Sequence, residues 1–162
     1  MSHRFEAVVV VSVLIAAGCQ STNAPCADTQ AVVESVAKQH PECVRLTVHS
    51  TPPAGGDWCV IASTVAEKLG KPSDKEDLDA MGTGRTVVLD EPGAVDVTVP
   101  ILLKDAKWTA TCGVTVKAEA GANREQLVAK ANTIAKAVEA SMAAKSLPMK
   151  ARQAAPASSR GY

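Results

Sequence analysis

Hydrophobic and polar residues alternate most regularly between Val95 and Lys117. Val95, Val97, Val99, Ile101 and Leu103 are interleaved with Asp96, Thr98, Pro100 and Leu102, the period-two pattern of a strand with one buried face. The polar break Lys104-Asp105-Ala106-Lys107 turns the chain. Trp108, Ala110, Cys112, Val114 and Val116 then alternate with Thr109, Thr111, Gly113 and Thr115. Two matching strands joined by so short a loop predict a β-hairpin. A hairpin is marginal by itself in water, so other segments have to cover its apolar face.

Those segments are legible on both sides. Ala27 to Gln39 predicts a helix capped by Asp28 or Thr29, with Val32, Val33, Val36 and Ala37 as its apolar stripe and His40-Pro41 as its stop. Val44, Leu46 and Val48 alternate with Arg45, Thr47 and His49 in a first strand. The Pro- and Gly-rich stretch from Thr51 to Asp57 is a loop, and Trp58 to Ser63 a second strand whose buried face the pattern leaves open. Ser73 with Glu76 matches a capping box for a short helix through Met81, closed by Gly82 or Gly84. Thr86 to Leu89 reads as a short strand, turned into the hairpin by Glu91-Pro92-Gly93. Asn123 and Gln126 mark the start of a second long helix, with Leu127, Ala131, Ile134, Ala135, Val138 and Met142 as its stripe. From Ser146 to Tyr162, Pro, Ala, Ser and basic residues follow no period and predict a disordered tail. The order helix, two strands, short helix, strand, hairpin, helix predicts an α+β domain over residues 27–145, with one sheet and the two longer helices on its apolar face.

The balance of 17 basic and 17 acidic residues gives no electrostatic case for a nucleic-acid partner. Only Trp58 and Trp108 are aromatic within the domain, which removes a base-stacking platform as well. At the N-terminus a single Arg4 precedes an apolar run from Ala7 to Ala17, shorter than the roughly 20 residues needed to span a bilayer. The run ends Leu14-Ile15-Ala16-Ala17-Gly18-Cys19, which resembles a bacterial lipobox. The resemblance implies a signal peptide over residues 1–18, lipidation of Cys19, and a tether over residues 19–26. Gln20, where lipoproteins retained at the inner membrane carry Asp, implies the outer membrane, with the domain in the periplasm.

Outside the cytoplasm the remaining even set, Cys26, Cys43, Cys59 and Cys112, reads as a source of structural disulfides. A helix between Cys26 and Cys43 holds them about 18 Å apart, against roughly 4.4–6.8 Å for disulfide Cα atoms, which argues against that pair, whereas a strand returning along the helix brings Cys59 nearer to Cys26 and favours Cys26–Cys59. Cys112 shares the apolar parity of Val114 and reads as a buried thiol. His40-Pro41-Glu42-Cys43 has no second ligand pair at zinc-like spacing, and Gly82-Thr83-Gly84-Arg85 lacks the spacing of a phosphate loop. Neither a metal, a cofactor nor a catalytic residue is expected.

Gly70-Lys71-Pro72-Ser73-Asp74-Lys75-Glu76-Asp77-Leu78, followed by Thr83-Gly84 and Val87-Val88, resembles the middle of PAS-like sensor modules of the Cache kind. So does Val97-Thr98-Val99-Pro100-Ile101, a polar turn, and a strand ending in Gly113-Val114. The resemblance covers residues 27–143 and implies an antiparallel five-stranded, profilin-like sheet behind an N-terminal helix. It also implies a ligand held on the face away from that helix, roofed here by residues 65–85. Strand parity places Arg45, Thr47, His49, Asp96, Thr98, Thr109, Thr111 and Thr115 on that face. Arg45, His49, Asp96, Thr98 and Thr111 are the expected ligand-binding residues, with Arg45 and Asp96 gripping opposite ends of a small polar molecule. The implied function is a lipid-anchored, non-catalytic binding or sensing module of the cell envelope. The alternative is an envelope lipoprotein that uses the same fold to dock a protein partner, its polar sheet face simply solvated.

Overall fold

A computed structural model describes residues 26–52, 55–102 and 108–145. The expected signal peptide with Cys19, the expected tether through Pro25, residues 103–107 between the hairpin strands, and the expected tail from Ser146 lie outside the described residues, as do the side chains of Trp108 and Thr109. The chain runs α1 (Ala27–Gln39), β1 (Cys43–Ser50), β2 (Cys59–Ser63), a 3-10 turn (Ala66–Lys68), α2 (Lys75–Thr83), β3 (Val87–Glu91), β4 (Ala94–Leu102), β5 (Trp108–Lys117) and α3 (Arg124–Ala144). The strands form one antiparallel sheet in the order β2-β1-β5-β4-β3. Two strands, a helical segment and three further strands behind an N-terminal helix make this the PAS-like α+β architecture expected. The predicted hairpin is its centre, paired from Ala94↔Lys117 to Leu102↔Trp108.

One face of the sheet is apolar because parity puts Leu46, Val48, Val97, Ile101, Ala110, Cys112, Val114 and Val116 there, all buried. α1 and α3 cover it. α3 buries Leu127, Ala131, Ile134, Ala135, Val138 and Met142, the whole of its predicted stripe, and Asn123 caps it by accepting from the Glu125 and Gln126 N–H groups. α1 buries Val32, Val33 and Val36 as expected, but neither Asp28 nor Thr29 caps it. Its cap residue is Cys26, whose N–H donates to the Ile61 carbonyl at 2.9 Å, so the backbone fastens the start of the helix to β2. Thr29 is turned into the core instead. α2 also starts one residue later than expected. Asp74 and Asp77 form its capping box rather than Ser73 and Glu76, and Gly84, at φ 67°, closes it in the left-handed region. It packs on the other side of the sheet, over β5, β4 and β3.

Val44, expected in the core, is 52% exposed. Cys43 pairs with Val116 and Arg45 with Thr115, so Val44 is the extra residue of a β-bulge. The insertion flips the parity, and Cys43 packs against the core where Val44 was expected.

The expected disulfide is absent: Cys26, Cys43, Cys59 and Cys112 are all free thiols. The strand register explains part of this. Cys112 pairs with Val48 and Cys43 with Val116. Several residues of β1 therefore separate Cys43 from Cys112, roughly 15 Å at about 3.3 Å per residue. Cys59 is buried within the core, whereas Cys26 sits at its rim at the start of α1.

Burial, aided by the charges of Glu42 and Asp96, pushes the Cys43 thiol from 9.0 up to about 11, against the opposing effect of the Arg45 backbone. Burial raises the Cys59 and Cys112 thiols as well. Between pH 9.0 and about 11 the folded chain keeps a proton at Cys43 that the unfolded chain releases. Stability is therefore expected to hold below that window and to fall as pH rises through it. Chemical denaturation at about pH 8 and about pH 10.5 checks this. The drop should be smaller in Cys43→Ser, and an equal drop in both proteins would refute the assignment.

Candidate functional site

The second face of the sheet is built in rows across β1, β5 and β4. Thr115 pairs with both Arg45 and Asp96, Gly113 with both Thr47 and Thr98, and Thr111 with both His49 and Pro100. Paired residues share a face, so register alone brings these polar side chains together. Gly113 is the small residue the middle row requires. A Cβ there would stand 2.5 Å from Thr47 Oγ1, so the bare backbone makes room for the threonine hydroxyl.

The segment between β2 and β3 roofs this face. Val60 N–H donates to the Lys71 carbonyl at 2.9 Å, and Pro72 bridges to Cys59, so the roof enters along the edge of β2. It is then tied to the floor through His49. Nδ1 lies 3.0 Å from Asp77 Oδ2 and 3.1 Å from Ser73 Oγ, and Nε2 lies 3.1 Å from Thr47 Oγ1. His49 is 6% exposed and Asp77 3%. The carboxylate can only accept, so Nδ1 carries the proton towards Asp77, while Nε2 faces the Thr47 hydroxyl, which also reaches the Gly113 carbonyl at 3.4 Å. Thr111 Oγ1 donates to the other Asp77 oxygen at 3.3 Å, and the Asp74 N–H donates to Oδ2 at 3.1 Å. Asp77 thus fastens the start of α2 to two strands at once.

The order Asp77–His49–Thr47 has the connectivity of an acid–base relay. Thr47, however, is 5% exposed, pressed against Gly113 and within 3.4 Å of the Gly113 carbonyl oxygen, so its hydroxyl is held within the sheet. The relay serves as a strut.

At the far end of the rows, Arg45 holds Glu91 Oε1 at 2.8 Å and Asp96 Oδ1 at 3.4 Å. Asp96 also accepts from Thr115. Burial pulls the Arg45 pKa down, but the hydrogen bond to Glu91 and the charges of Asp96 and Glu91 outweigh it and raise it, so the guanidinium stays charged. Between strut and ion pair lies a cavity of about 350 Å³. Its floor is Arg45, Thr47, His49, Asp96 and Thr98, and its roof includes Lys68, Lys71, Asp74, Glu76 and Asp77.

Of the residues singled out from the sequence, Arg45, His49, Asp96 and Thr98 line the cavity. Thr111 is buried and touches Asp77 instead. Arg45 and Asp96 do not stand at opposite ends of the site: flanking Thr115, their side chains meet over it. Ser73, Asp77, Glu91, Lys68 and Lys71 were not foreseen. Asp77 left a trace, because the buried positions of α2 are Asp77 and Ala80, three apart. A carboxylate on the inward stripe of a short helix signals a partner below it. Among the described residues, no group of three or more His, Cys, Asp or Glu side chains is arranged to hold a metal ion.

No protein-family model matches the chain, and no curated protein matches it either. Among solved structures, the second GAF domain of DevS from Mycobacterium smegmatis is similar at 18% identity and a TM-score of 0.48, covering 74% of this chain and 94% of that one. The GAF domain from Acinetobacter phosphoenolpyruvate-protein phosphotransferase gives 13% identity and a TM-score of 0.48, over 75% and 92% of the two chains. Type II free methionine-R-sulfoxide reductase from Thermoplasma acidophilum gives 12% and 0.45, over 70% and 92%. Likeness at this level carries no residue role across to this chain.

Proposed function

We propose that this chain is a lipid-anchored module of the cell envelope, of the Cache kind, that binds or senses a small polar molecule without catalysis. One observation carries the binding part of this reading: a polar cavity between sheet and roof, with four of the expected residues on its floor. A merely solvated sheet face needs no roof, and none of its histidines needs a buried carboxylate above it. Native mass spectrometry of the intact chain in detergent tests it. The expected spectrum contains a protein peak carrying an extra small-molecule mass. An empty, multimeric wild-type species would favour the protein-docking alternative.

The anchoring part rests on the residues before Cys19. Cys19→Ser is expected to move the protein from the membrane fraction to the soluble fraction, or to leave an uncleaved precursor, because the acylated residue is gone. Unchanged fractionation with an unlipidated N-terminus would remove the lipoprotein assignment, and with it the periplasmic, outer-membrane location.

A further inference from the structure

The charges around the cavity are sorted by position, and on the binding reading above they select a class of ligand. At the β4 side, Glu91 and Asp96 share the single guanidinium of Arg45, leaving one carboxylate charge without its own cation. At the β2 side, Lys68 and Lys71 face the cavity, and neither ammonium pairs with a carboxylate among the described residues. Asp74 is engaged in the helix cap, while half-buried Glu76 is left on the roof as a free acceptor.

The geometry points to an extended zwitterion, specifically a short peptide with free termini: its ammonium sits at Glu91 and Asp96, its carboxylate at Lys68 and Lys71, and Glu76 accepts from its peptide N–H groups. Length separates this from a free amino acid. Lys71 stands outside β2 and Asp96 on β4, four strand spacings apart in the sheet order. At about 4.8 Å per spacing that is roughly 19 Å between backbones, which side chains reaching inward shorten to on the order of 10 Å. An extended tripeptide covers that span at about 3.3 Å per residue, whereas the charges of a single amino acid sit too close together to meet both ends.

Isothermal titration calorimetry of the intact chain tests the inference with trialanine, N-acetyl-trialanine, trialanine amide and free alanine. Trialanine should bind, with each blocked form weakened about tenfold or more, as loss of a charge-assisted contact implies. Alanine should show no saturable heat. In the double variant Lys68→Ala, Lys71→Ala the free peptide and its amide should bind alike, while the acetylated form stays weaker than the free one. Equal binding of free and blocked peptides overturns the proposal. So does an absence of trialanine binding while native mass spectrometry still finds another retained molecule, a result that leaves the binding module intact and removes only its peptide ligand. If nothing is retained and nothing binds, both readings fall.

Discussion

Replacing Asp77 with alanine is expected to cost about 3 kcal/mol of folding stability, from the loss of a buried partner to a hydrogen-bonded ring and hydroxyl. The carboxylate accepts from His49 Nδ1, Thr111 Oγ1 and the Asp74 N–H, so its removal strands a donor on each of two strands and undoes the cap of α2. Ser73 remains within 3.1 Å of His49 and limits the damage at the ring. Asp77→Asn keeps the shape and one acceptor oxygen and should recover about half of the loss. Urea denaturation measures all three proteins, and hydrogen exchange shows where the loss falls. Amides of α2 should open in Asp77→Ala while those of α3, on the opposite face, keep their protection. A variant within about 0.5 kcal/mol of wild type would mean the roof is not held through His49.

Leu46→Ala should be comparably damaging, at about 2–5 kcal/mol, since it deletes a fully buried side chain and leaves a cavity. Leu46 is 0% exposed, on a strand flanked by β2 and β5 and covered by α1. Val44→Ala is the informative companion. Unbroken alternation puts residues 44 and 46 on the same face and makes both changes costly. The bulge between Cys43 and Arg45 turns Val44 outward, so its truncation should stay within about 0.5 kcal/mol, as for an ordinary surface change. Comparable losses in the two variants would contradict the bulge and restore the unbroken register.

How far the sequence could be read follows from the range of the interactions involved. α3 was legible from its apolar stripe and its Asn123 cap, because both are properties of residues three or four apart. The β4–β5 hairpin was legible for the same reason, its alternation being regular and its turn short. The caps of α1 and α2 were misplaced by a residue or more, because a backbone bond to Ile61 fixes Cys26 at the start of α1 and the acids Asp74 and Asp77 form the box that Ser73 and Glu76 could equally have formed. The cysteines were misread because bridging depends on which thiols the fold brings together, and strand pairing, for one, keeps Cys43 and Cys112 apart along the sheet.

The candidate site divides along the same line. Local pattern by itself determined that Arg45, His49, Asp96 and Thr98 would share a face, since side chains alternate along any strand and the polar set was in phase. Which of them would meet was decided only by tertiary structure. β5 lies between β1 and β4, so Arg45 and Asp96 converge over Thr115 rather than standing apart, and Glu91 arrives from β3 to share the guanidinium. The chain between β2 and β3 could have gone to either face. It closes over the polar one because Asp77, once buried there, finds His49 and Thr111 to satisfy it, whereas the apolar face is already filled by α1 and α3.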